Sequence, residues 1–229
     1  MARISKEYQE RYDEIIETSL RLFRQKGYEN TSVGMIIDEV GISKGTFYYY
    51  FESKKGLMMS VIKKISDRIL IHAYPIIEDK SLSALEKVNK VFEAMGQHKL
   101  EEKELLLFLA KVIYNEDNAY LLRELNRHLL LFWKNDFSRI IEQGNIEGVF
   151  SVEDPQMISV MIFAAGEGLA VHSKINDEST FNNPGRIEDM LRTYHAYECM
   201  IERTLGAPEK SIKLVDEKLL QGFLNEEGH

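Results

Sequence analysis

An all-α fold is predicted for this chain by three observations. Apolar residues recur at i, i+3, i+4 and i+7 in one stretch after another, the spacing that lines one face of an α-helix. Alternation with a period of two, the mark of a half-buried strand, is hard to find. The four prolines all fall where helices are expected to start or stop. A first helix covers about Lys6 to Lys26, with Tyr12, Ile15, Ile16, Leu20 and Phe23 on one face and Gly27 ending it. Ser32 is the N-cap of a two-turn helix whose apolar face is Val33, Ile36, Ile37 and Val40. Gly41 ends that helix where a left-handed backbone is needed, and Ile42 tucks beneath the turn. Ser43 caps a short helix to about Phe51, and Ser53 caps a longer one to about Ala73, before Pro75. Further helices are expected at about Ser83–Gln97, Glu101–Tyr114 and Asp117–Gln143. Asp154 and Pro155 read as N-cap and first helical position of a helix to about Lys174. After the break at Asn183-Pro184-Gly185 a helix runs to Leu205, and Pro208 opens a last one through about Phe223.

Two short helices joined by a glycine turn form the helix-turn-helix arrangement, whose second helix can lie in a DNA major groove. Phe47 and Phe51, four apart, point the second helix into a core with Val33, Ile36 and Val40. Ser43, Lys44, Gly45, Thr46, Tyr48 and Tyr49 are left outward, with Tyr50 near the boundary. Hydroxyls, an ammonium and polar-tipped rings suit phosphate oxygens and base edges, and Gly45 permits close backbone approach. The adjacent tyrosines also fit a plainer reading, as half-buried helix residues with wet hydroxyls. Lys54, in the first turn of the next helix, is electrostatically misplaced unless an anion such as a DNA phosphate sits there.

The segment Gly41-Ile-Ser-Lys-Gly-Thr-Phe-Tyr-Tyr-Tyr-Phe-Glu-Ser-Lys-Lys-Gly-Leu57 resembles the signature of the TetR family of bacterial transcriptional regulators. Phe23, Gly27, Tyr28 and Thr31-Ser32-Val33 fit the same pattern, and the resemblance is specific over about Tyr12 to Ile62. It implies that Ser32 and nearby amides hold phosphate and that Ser43, Lys44, Gly45 and Thr46 face the major groove. It also implies that Tyr48, Tyr49, Tyr50 and Lys54 clamp the DNA backbone. Ile37 departs from the small alanine usual in such proteins, and Gly34 stands where relatives often carry a polar or basic side chain. The implied architecture is a three-helix DNA-binding domain over residues 1–55 and a larger helical effector-binding and dimerisation domain over 56–229. The implied function is a dimeric repressor on a palindromic operator, released by a small effector.

Composition is compatible with that reading. The 229 residues are 44% hydrophobic and 29% charged, the content of an ordinary soluble globular protein. The net charge of −8 is unevenly spread: residues 1–64 carry 11 Lys/Arg against 9 Asp/Glu, and residues 65–229 carry 18 against 28. A mildly basic head on an acidic body keeps nonspecific DNA affinity modest and turns the head toward the duplex. Cys199 is the single cysteine, so no intrachain disulfide can form, which suits a reducing cytoplasm. The N-terminus lacks the apolar stretch of a signal peptide, and no run reaches membrane-spanning length.

Two tasks fall to the body. The stretch from Pro155 to Lys174 is apolar almost all round and must be covered on more than one side, while Ala164, Ala165 and Gly168 allow close helix approach. Together with the family resemblance, this places a homodimer interface on about 155–174 and 186–205, with both as central core helices the competing reading. Phe92, Met95, Phe108, Tyr114, Trp133, Phe137, Met161 and Phe163 are candidates to line an apolar effector cavity, although such residues also make ordinary core. His98, Asn126, His128, Glu167 and His172 are candidates to orient the effector. Other possibilities are a regulator governed by a protein partner or by nothing, and a helical enzyme. Phosphate-loop, zincin, nucleophile-elbow and paired-cysteine motifs are all lacking in the sequence, so no enzyme activity and no cofactor are expected. His195, Glu198 and Cys199 have helical spacing that can bind zinc, but too few ligands, and no metal is expected.

Overall fold

A computed structural model describes residues 6–172 and 186–214, and within them every regular element is helical. The order is α1 (Lys6–Lys26), α2 (Val33–Val40), α3 (Lys44–Tyr50), α4 (Lys54–Leu70), α5 (Tyr74–Glu78), α6 (Ala84–Glu101) and α7 (Lys103–Ile113). A 3₁₀ turn at Glu116–Asn118 leads into α8 (Ala119–Phe132), followed by a π-helical turn (Trp133–Phe137), α9 (Ser138–Glu147), α10 (Pro155–His172) and α11 (Arg186–Leu205). No helix among the described residues is long and apolar enough to cross a membrane.

The chain forms two compact units. The first comprises residues up to Ser66 with Lys111–Leu125; the second comprises Asp67–Ala110 and the chain from Asn126 onward. In the first unit Ile15, Ile16, Phe23, Ile36, Phe47, Leu57, Met58 and Ile62 are almost wholly excluded from water. They come from all four of the N-terminal helices, so none of these short helices depends on propensity alone. Lys64 of α4 reaches both Asp13 (2.6 Å) and Glu17 (3.2 Å) of α1, and Arg21 of α1 meets Glu39 of α2 at 2.7 Å. Buried Thr31 closes the α1–α2 loop by donating its hydroxyl to the Gly27 carbonyl at 2.8 Å.

The second unit has a separate core in which Val88, Val91, Phe132, Trp133, Phe137, Ile140, Ile141, Ile162, Ile201 and Leu205 are buried together. Asp154 and Pro155 open α10 as expected, the Asp154 carboxylate accepting from the Met157 amide at 2.9 Å. Ser83 opens α6 with a capping box: its hydroxyl accepts from the Glu86 amide (3.3 Å), and the Glu86 carboxylate accepts from the Ser83 amide (2.8 Å). The Ser83 hydroxyl and amide hold the Glu86 carboxyl below its ordinary range. A depressed folded-state value means that this contribution is complete above the ordinary glutamate value of ~4.3 and is lost as pH falls through the folded one. Ser83→Ala is expected to cost about 1 kcal/mol near neutral pH. Its difference from the parent in urea melts should shrink as the solution is acidified past that range, and a difference independent of pH would refute the assignment.

Several expected boundaries move. The helix after Ser53 stops at Leu70 rather than Ala73, and Pro75 lies inside a short helix, α5, near its N-terminus, where a missing amide costs nothing. The single helix expected over Asp117–Gln143 is instead a 3₁₀ turn, α8, a π turn and α9, which continues to Glu147. The wide turn leaves the Trp133 carbonyl accepting both from the Ser138 amide and from the buried Ser159 hydroxyl of α10, the latter at 2.5 Å. No helix starts at Pro208 within the described residues. The chain there turns and is bound at Ile212 and Leu214, whose amides donate to the buried carboxylates of Glu202 (2.9 Å) and Glu198 (2.8 Å) on α11. The remainder of that expected helix, the segment around Lys174 and the side chain of His172 lie outside the described residues.

Candidate nucleic-acid interface

The exposed face of α3 is set by its two caps and two anchors. Ser32 has an extended backbone (φ −90, ψ 158), and its hydroxyl accepts from the Met35 amide at 3.2 Å, which starts α2. Gly41 is left-handed (φ 72, ψ 38), and both its amide and that of Ile42 donate to the Ile37 carbonyl, at 3.0 and 3.2 Å. A side chain there would be strained, which is why glycine makes the turn between the two helices. Ser43 then accepts from the Thr46 amide at 3.0 Å and starts α3. Phe47 (0% exposed) and Phe51 (4%) hold α3 to the core.

With those anchors inward, Ser43, Lys44, Gly45, Tyr48 and Tyr49 are exposed, and Thr46 and Tyr50 are half-buried. The Ser43 and Thr46 hydroxyls bond each other at 2.8 Å, so the groove-facing pair is oriented before any partner arrives. Tyr49 is 72% exposed and Tyr48 47%. Ser32, Ser43, Lys44, Gly45, Thr46, Tyr48 and Tyr49 thus belong to one small helix pair, all within the first unit.

Tyr50 and Lys54 differ from the sequence reading. Tyr50 packs its ring at 4.7 Å from that of Tyr8 on α1, the plainer half-buried arrangement. Lys54 is not a charge awaiting an anion. Its ammonium donates to the Tyr28 carbonyl at 2.9 Å and the Glu29 carbonyl at 3.4 Å, and lies 4.4 Å from the centre of the Tyr28 ring. The chain's own oxygens just past α1 compensate it, so misplaced charge is no argument for a phosphate at this position. Tyr28 itself is buried, and burial followed by the Glu29 charge pushes its phenol up to about 12.

Tyr8 is the residue that sequence reasoning missed. Its ring meets Tyr12 (6.3 Å), Tyr49 (5.9 Å, edge-on) and Tyr50 (4.7 Å), so α1 braces the far end of α3. Burial first, then Tyr49, raises its phenol above the ordinary value. The available signal was the four-residue spacing of Tyr8 and Tyr12 on α1, opposite a run of tyrosines.

The residues expected to line an effector cavity divide. Trp133 and Phe137 are buried with centroids 4.5 Å apart, Phe92 lies 5.8 and 5.7 Å from them, and Phe163 stacks on Trp133 at 5.8 Å. These rings fill core. Met95 packs half-buried against the same core, and Phe108 is half-buried on α7. Met161 is 55% exposed and lines no interior space, because it falls on the open face of α10 with Met157. Of the polar candidates, His128 is 2.7 Å from the Asp67 carboxylate, and His98 is 3.3 Å from that of Glu101. Asn126 and Glu167 bond each other.

Residues 15–61 match the family model described as bacterial regulatory proteins, tetR family. The chain is 39% identical over 92 residues to the uncharacterized HTH-type transcriptional regulator YuxN of Bacillus subtilis, covering 40% of this chain and 31% of that protein. It is 28% identical over 145 residues to the HTH-type transcriptional repressor KstR2 of Mycolicibacterium smegmatis, covering 61% and 67%. A second B. subtilis regulator, YerO, is matched over only 18% of its length, so the chain spans less than a third of either B. subtilis relative. The fold is similar to that of a TetR-family transcriptional regulator from Pectobacterium atrosepticum, with TM-score 0.60 at 19% identity over 90% of this chain and 100% of that one. It is likewise similar to a transcriptional regulator from Cytophaga hutchinsonii, with TM-score 0.58 at 18% identity over 84% and 97%.

Proposed function

We propose, for a chain that belongs to the TetR family of bacterial regulatory proteins, that it is a cytoplasmic transcriptional repressor whose dimer is released from a palindromic operator by a small, largely apolar effector. The observation that carries this reading is the outward face of α3: oriented hydroxyls at Ser43 and Thr46, the Lys44 ammonium, open backbone at Gly45, and exposed Tyr48 and Tyr49 on a helix anchored by Phe47 and Phe51. Ser43, Lys44, Gly45 and Thr46 meet base edges in the major groove. Ser32, Tyr48 and Tyr49 bond phosphates on either side, while Tyr50 and Lys54 keep the head in shape for those contacts.

One short helix reads few base pairs, which favours two copies on half-sites about one helical turn apart. The exposed strip Met157, Met161, Ala164, Ala165 and Gly168 on α10 supports a dimer contact there, since a soluble chain rarely leaves such a strip uncovered. Exposed Arg192, His195, Ala196, Cys199 and Arg203 recur on α11 at the same helical spacing and suit the second helix of each copy. An effector that binds one conformation of the second unit better than the other shifts the population away from the DNA-competent form. The test is selection of bound DNA from a random pool by the full chain. A palindrome with half-sites at helical-turn spacing is the expected result, and absence of any enrichment refutes the reading.

A further inference from the structure

We propose that Tyr8 is a positioning residue for DNA binding: its ring, reaching from α1, holds the exposed Tyr49 ring of α3 in the orientation that meets a DNA phosphate. This rests on the phosphate role proposed above for Tyr49 and adds to it a residue from outside the helix-turn-helix. The observation that carries it is an unbroken ladder of rings from core to surface. Phe47 and Phe51, both buried, lie 5.9 Å apart between ring centres. Phe51 stacks on Tyr12 of α1 at 5.1 Å, and Tyr12 stacks on Tyr8 at 6.3 Å. Tyr8 then meets Tyr49 edge-on at 5.9 Å, with 77° between the ring planes. Every step lies within the roughly 4.5–7 Å over which aromatic pairs attract.

The ladder leaves α3 and returns to it. Tyr49 and Phe51 are two residues apart, and on a helix such neighbours do not face each other. Thus α3 by itself cannot brace Tyr49 against its own anchor. Tyr8 and Tyr12, four apart on α1 and both half-buried, face the same way and span the gap. Tyr50 completes the brace, 4.7 Å from Tyr8 and 5.1 Å from Tyr49.

Tyr49 needs such a brace because 72% of it is exposed. A ring that open to water is otherwise free to turn among its staggered side-chain wells. Fixing one such side chain on binding costs about two- to tenfold in affinity. A ring already held by its neighbours loses less freedom when a phosphate arrives. The edge-on contact suits this task, since the positive rim of one ring on the negative face of another sets an angle that an aliphatic neighbour cannot. The role needs the Tyr8 ring and not its hydroxyl.

Operator binding by full-chain variants, at two salt concentrations and on DNA that the parent protein selects, decides the matter. Tyr8→Ala and Tyr8→Leu are each expected to weaken binding by about three- to tenfold, and Tyr8→Phe by less than about twofold. The loss should be the same at both salt concentrations, because no phosphate-neutralising charge is removed. In a Tyr49→Ala background the further loss from Tyr8→Leu should fall below about twofold. A merely structural Tyr8 would lower affinity equally with Tyr49 present or absent. Tyr8→Leu keeps apolar bulk on α1, so it reports on the ring even where Tyr8→Ala unfolds. Parent-like binding by folded Tyr8→Leu, a Tyr8→Phe loss as large as that of Tyr8→Leu, or an undiminished loss in the Tyr49→Ala background each overturns the proposal. Tyr49→Ala that binds as tightly as the parent overturns the phosphate role of Tyr49 itself, and the proposal with it.

Discussion

Gly144→Ala is expected to destabilise the protein by about 2–3 kcal/mol, against the usual gain for replacing glycine inside a helix. Gly144 lies in α9, where alanine alone would contribute about 1 kcal/mol of helix preference. A Cβ there would stand 1.9 Å from Cδ2 of Phe150, 2.5 Å from Cε2 and 2.6 Å from Cγ, so the whole ring would have to leave. The ring cannot swing aside cheaply. Left-handed Gly148 reverses the chain, and the amides of Val149 and Phe150 both donate to the Gly144 carbonyl at 3.0 Å, which seats Phe150 over the end of its own helix. Asn145 fixes the far side, exchanging two hydrogen bonds with the Val152 backbone at 2.7 and 3.0 Å. Displacing a buried phenylalanine forfeits much of the roughly 3–5 kcal/mol its burial is worth, which outweighs the helix term. Thermal melting should drop by roughly 5–10 °C for a chain of this size. The companion variant Gly144→Ala/Phe150→Ala should cost less than the two single changes added together, because the added methyl then has room. A Gly144→Ala protein melting at or above the parent temperature would show that the close approach is not there.

Lys44→Ala combined with Tyr49→Ala is expected to weaken operator binding by about 30-fold or more, roughly 2 kcal/mol, with the melting temperature little changed. Both side chains are exposed and neither is buried in the core. Tyr49 gives up only edge-on contacts with Tyr8 and Tyr50, which still meet each other, so loss of affinity far beyond any loss of stability separates a DNA-reading role from a scaffold role. Removing Lys44 should also reduce the salt dependence of binding, by about one counterion for each phosphate that its ammonium neutralises. Lys54→Ala serves as the contrast. Its ammonium satisfies the Tyr28 and Glu29 carbonyls, so its removal should lower the melting temperature as well as DNA affinity. Lys44→Ala/Tyr49→Ala binding DNA as the parent does would remove α3 as the reading surface. Competition binding on the selected operator at two salt concentrations, beside thermal melts of all three proteins, decides it.

The contrast between Lys44 and Lys54 shows where local reasoning ends. Caps, turns and helix faces depend on residues a few positions apart, so Ser32, Gly41, Ser43, the Phe47–Phe51 pair and the Asp154-Pro155 opening could all be read from the chain. The partner of Lys54 lies 26 residues away, and Tyr8 reaches Tyr49 and Tyr50 across more than forty. No helical period reports such pairs. The same limit applies to Met161, whose apolar character suits a core or a surface strip equally until neighbouring helices take their places.

What the sequence determined by itself is therefore the helical class, the helix-turn-helix with its outward hydroxyls and tyrosines, and the likeness of residues 15–61 to the tetR family of bacterial regulatory proteins. Each rests on short-range hydrogen bonding and on the helical repeat, which are properties of contiguous residues. Tertiary structure alone decided that the helix after Asp117 is broken by a π turn whose Trp133 carbonyl receives Ser159, and that Phe150 requires a glycine at 144. Those outcomes depend on which faces pack together, and packing is a competition among distant segments for the same buried space and the same polar partners.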